Sequence, residues 1–95
     1  MNETRERIHK ELDRIATRLT GLNVTRLESC ASRVFDCAQQ IADLTPGNHP
    51  PLPIVGVTAV GAQITVITRD YLSERNQTHD TLVADLLTQL RRDLP

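Results

Sequence analysis

Ile54-Val55-Gly56-Val57-Thr58-Ala59-Val60-Gly61-Ala62-Gln63-Ile64-Thr65-Val66-Ile67-Thr68-Arg69 is the stretch on which the fold turns. It carries no charge before Arg69 and is rich in β-branched residues, which fit the pleated surface of a sheet. Gly61 at the first central position of a two-residue loop is the signature of a type II′ turn. That turn pairs Ala59 with Ile64, Val57 with Val66 and Val55 with Thr68 on one face. The opposite face carries Val60/Gln63, Thr58/Thr65, Gly56/Ile67 and Ile54/Arg69. The first face is nearly all apolar and the second is mixed, so turn chemistry and polarity agree on a β-hairpin.

Outward from the hairpin the pattern is helical. Ile8, Leu12, Ile15 and Leu19 alternate spacings of four and three, one apolar stripe of a helix over 3–20. Gly21 suits the left-handed position that closes many helices. Thr25-Arg26-Leu27-Glu28 reads as a capping box that starts a second helix at Thr25. The apolar residues of that helix, from Leu27 to Leu44, cover about half its circumference, so it must touch two neighbours. From Thr45 to Pro53, four prolines in nine residues forbid a helix and favour an extended connection. Leu82, Val83, Leu86, Leu87 and Leu90 mark a third helix over 78–93. The expected fold is therefore α+β, in the order α-α-β-β-α. It is a helical hairpin, one antiparallel β-hairpin and a C-terminal helix within a single domain, 1–95.

Composition narrows the function classes. The chain has 95 residues, 39% of them hydrophobic, and a net charge of −1, which is ordinary for one folded domain and not for a disordered tail. Phe35 and Tyr71 are its only aromatics, so the core is aliphatic. No apolar run reaches the roughly 20 residues that span a bilayer, and the charged Met1–Arg7 does not read as a signal peptide. The cytoplasm is the expected compartment, with no membrane partner. Residues 1–20 hold five basic and four acidic side chains, spaced for mutual pairing. Phosphate backbones need an uncompensated basic face, and single strands need stacking aromatics, so nucleic acid is disfavoured.

Cys30 and Cys37 lie seven residues apart, about 10.5 Å on a helix, too far for a disulfide within it. Reduced, buried thiols are expected, and neither sits where reactive thiols are found. His9, His49 and His79 fall in separate segments without ligand spacing, so neither a metal site nor a cofactor is expected. The Pro50–Pro53 spacing suits a partner's aromatic groove, but linking a helix to a strand already explains it. The sequons at Asn2, Asn23 and Asn76 need secretion, and Asn23 and Asn76 read better as turn or capping residues.

A lone hairpin is marginal and leaves both edges open. The expectation is a homodimer that completes a four-stranded sheet, with Ile54, Val60 and Ile67 at the interface. Helix pairing through Ile8, Leu12 and Ile15 is the other route to a dimer. The expected function is a non-enzymatic interaction or regulatory module, which also leaves room for an unidentified protein partner. The alternative is a small-ligand protein or enzyme with a pocket near Arg69, Tyr71 and His79. There a helix N-terminus and two basic side chains would hold an anion.

Overall fold

The computed structural model describes residues 3–45, 50–73 and 78–95. His49, Glu74 and the sequon asparagines Asn2 and Asn76 lie outside them. The described residues contain four helices and no strand: α1 (Glu3–Thr20), α2 (Val24–Leu44), α3 (Val60–Ser73) and α4 (Asp80–Asp93). The expected α+β hairpin is replaced by a 3-10 turn over Val57–Ala59 that runs directly into α3.

Two periods coexist in this stretch, which is why it misleads. Alternation places Val57, Ala59, Ile64 and Val66 on one side of a hairpin. The spacings 60, 64, 68 and 71 place Val60, Ile64, Thr68 and Tyr71 on one stripe of a helix, and these four are the buried residues of α3. β-Branched side chains lower helix propensity only by tenths of a kcal/mol each, and burial overrides that. A helix also satisfies its backbone internally, whereas the hairpin would have left both edges bare. Gly61 makes no turn. It sits in the first turn of α3, where a Cβ would lie 3.4 Å from Leu19 Cδ1, so its small size lets α3 approach α1.

The remaining helices follow their apolar stripes, with corrections at the ends. Ile8, Leu12, Ile15 and Leu19 are all buried along α1. Gly21 closes that helix without left-handed backbone, through its N–H to the Thr17 and Arg18 carbonyls at 3.3 and 3.1 Å. The start of α2 is capped by Asn23, whose side chain accepts from the Arg26 N–H at 3.0 Å, so Thr25 is not the cap. α4 begins two residues later than expected, and Leu82 is nearly half exposed while Ala84 takes a place in the core.

Side-chain contacts give the helix directions. Arg5 meets Asp80 and Glu11 meets Arg91, so α1 and α4 run parallel. Cys37 reaches Leu86 while Arg33 reaches Asp93, so α2 and α4 are antiparallel. Arg5 touches Leu72 while Leu19 meets Gly61, so α1 and α3 are antiparallel too. The principal contacts form a ring, α1–α4–α2–α3–α1. Since α2 and α3 point the same way, the chain between them must travel back along the bundle. The proline-rich segment is that return. Pro50–Pro53 lie beside Ala42 and Ile67, Pro53 accepts from Gln63 Nε2 at 2.9 Å, and Leu52 donates its N–H to Gln39 Oε1 at 2.9 Å. Seven extended residues from Pro50 to Gly56 cover about 22 Å at ~3.1 Å each. Walking back from Asp70 to Val57 along a helix is about 20 Å at 1.5 Å per residue.

Thr68 is fully buried on the α3 stripe, and its hydroxyl has no hydrogen-bond partner among the described residues. An unmet buried hydroxyl costs about 1–3 kcal/mol, a cost that a methyl group in its place does not incur. Thr68→Val is expected to stabilise the protein by about 1 kcal/mol, read as a higher urea midpoint. A lower midpoint would mean that the hydroxyl has a partner.

Candidate functional site

The three residues singled out in the sequence do not form a pocket. Arg69 is exposed on α3, whereas Tyr71, two residues on and therefore across the helix, is fully buried. His79 is exposed at the N-cap of α4, not within its apolar stripe, and its side chain makes no capping bond. The structure brings Tyr71 to the start of α4 but leaves Arg69 on the outside.

Tyr71 belongs to a polar cluster that ties three helix ends. Its hydroxyl donates to Asp80 Oδ1 at 2.7 Å, and Arg5 Nη1 lies 3.4 Å from both Asp80 oxygens. Arg5 Nη2 also donates to the carbonyl of Leu72, one of the orphan acceptors at the end of α3. Burial, with the Asp80 carboxylate beside it, pushes the Tyr71 phenol well above its ordinary range. A phenol held this firmly neutral and already donating is a structural group. Both cysteines are buried and free. Burial raises the Cys30 thiol and pushes Cys37 up to about 12, the opposite of what a nucleophilic thiolate requires. Among the described residues no three His, Cys, Asp or Glu side chains gather where they could hold a metal ion. None of the described helices is long and apolar enough to cross a membrane.

Two open clefts flank the C-terminal half of α1. On the α3 side lies an open cleft of about 540 Å³, lined by residues that include Ala16, Leu19, Leu27, Gly61, Ala62 and Val66. It is floored by the close approach that Gly61 allows, and its rim carries Val66, which is 56% exposed. On the α4 side lies a second cleft of about 420 Å³, lined by Asp13, Arg14, Thr17, Arg18 and Arg91. Below it Glu11, buried on the apolar stripe of α1, accepts from Arg91 Nε at 2.5 Å and Arg14 Nη1 at 2.9 Å. Glu11 went unnoticed in the sequence because it was counted among the solvated charges. Its place three residues after Ile8 and four before Ile15 puts it on the buried face. No family model, no curated protein and no solved structure matches the chain.

The interface residues expected from the sequence are differently placed. Ile8, Leu12, Ile15 and Val60 lie in the chain's own core. Ile67 is half-buried beneath Pro50–Pro53, and Ile54 is 91% exposed on the returning segment.

Proposed function

We propose that the protein is a non-enzymatic interaction module that acts as a homodimer through the outer face of α3. The observation that carries this reading is that α3 exposes Ala62 and Val66 in a stretch with no charge between Ile54 and Thr68. The first two turns of α3 thus face solvent without charge, and Arg69 and Asp70 supply it only in the following turn. An uncharged patch is also self-complementary. Two copies meeting about a two-fold axis at Ala62 and Val66 put uncharged side chains in contact, and each Val66 can enter the opposing 540 Å³ cleft. The small Ala62 on the same face permits close helix approach.

Light scattering coupled to size exclusion tests this at several concentrations. Wild-type protein is expected near twice 10.6 kDa, and Val66→Arg, which adds a charge at an exposed position, near 10.6 kDa. A wild-type monomer at every concentration, or an undisturbed Val66→Arg dimer, would contradict the reading.

A further inference from the structure

We infer that the cleft between the C-terminal halves of α1 and α4 binds a tetrahedral oxyanion of the phosphate class. Three arginines from two helices line it, Arg14 and Arg18 from α1 and Arg91 from α4, together with Thr17. Basic side chains in a last turn complement the macrodipole, but that alone does not call for a buried carboxylate beneath them. Glu11 supplies one. It holds Arg14 through Nη1 alone and Arg91 through Nε alone. The other nitrogens of both groups have no partner among the described residues, and Arg18 has no ion pair there.

The buried carboxylate thus orders two guanidiniums in advance, which reduces the side-chain entropy that an anion would otherwise have to overcome. Donors arriving from two helices match an acceptor with oxygens in several directions. A carboxylate offers only two, in one plane. Glu11 and Asp13 together cancel two of the three positive side-chain charges, leaving one to face the negative C-terminal ends of α1 and α4 and the anion. Asp13, which lines the same cleft, opposes binding.

Inorganic phosphate is the probe, titrated at constant ionic strength while backbone amide shifts are followed by NMR. Saturable shifts confined to residues 13–18 and 88–94 are expected, with a Kd on the order of 1 mM. Arg18→Ala breaks no side-chain hydrogen bond or ion pair within the fold and is expected to weaken binding about fivefold. Asp13→Asn is expected to tighten it about threefold, and Arg69→Ala, on the exposed face of α3, to leave it unchanged. Shifts that do not saturate, or that Arg69→Ala reduces as much as Arg18→Ala, would overturn the site. So would capture by vesicles bearing a phosphate-monoester headgroup with no response to free phosphate.

Discussion

Val60→Asp is expected to destabilise the protein by about 4 kcal/mol or more, read as a much lower urea midpoint. Val60 is 2% exposed, packed with Ile64 in the core. The substitution removes burial worth about 1.5–3 kcal/mol and places a carboxylate where nothing pairs with it, for a total loss of about 4 kcal/mol or more. A domain this size has only about 5–14 kcal/mol to lose. Val66→Asp, six residues on, is expected to change stability by at most about 1 kcal/mol at micromolar concentration, because Val66 is 56% exposed. A hairpin predicts the reverse order, with Val66 inside and Val60 outside. Urea titrations of the two variants, followed by circular dichroism at 222 nm, separate the two folds.

The Arg5–Asp80–Tyr71 cluster carries the second large effect. Asp80→Ala leaves the fully buried Tyr71 hydroxyl without its acceptor and removes the carboxylate that Arg5 pairs with here. Removing one partner of a wholly buried pair costs about 3–5 kcal/mol. The Arg5 and Asp80 side chains keep 21% and 14% of their exposure, so a loss of about 2–3 kcal/mol is expected. Tyr71→Phe alone is expected to cost about 1 kcal/mol. In the Tyr71→Phe background, Asp80→Ala should cost about 1 kcal/mol less than in wild type, since the hydroxyl it would orphan is already gone. Strict additivity in that double-mutant cycle would show that the two side chains do not interact.

Three of the four helices were legible because each has a single strong period. Ile8 to Leu19 admits no strand reading, and neither do Leu27 to Leu44 or Val83 to Leu90. The stretch from Val57 to Tyr71 was not legible in the same way, because its β-branched residues satisfy two periods at once. The deciding residue was Tyr71. It continues the spacing from Val60, Ile64 and Thr68 beyond the point where a hairpin ends, and it had been assigned to a ligand site instead. The open edges of a lone hairpin were visible in the sequence too. They prompted a sheet-completing dimer when they argued equally against the hairpin. The candidate sites were harder still. Arg91 reaches the Glu11–Arg14 pair only because α1 and α4 run parallel, which no local pattern in either helix announces.

The central claim is that Val57 to Ser73 forms a 3-10 turn and a helix rather than two strands. Backbone Cα chemical shifts of the wild-type protein test it residue by residue. The account predicts consecutive positive deviations from random-coil values across Val60–Ser73, through Gly61 and Ala62 without a break. Negative deviations over residues 54–60 and 63–69, interrupted at Gly61-Ala62, would restore the hairpin and contradict the four-helix fold.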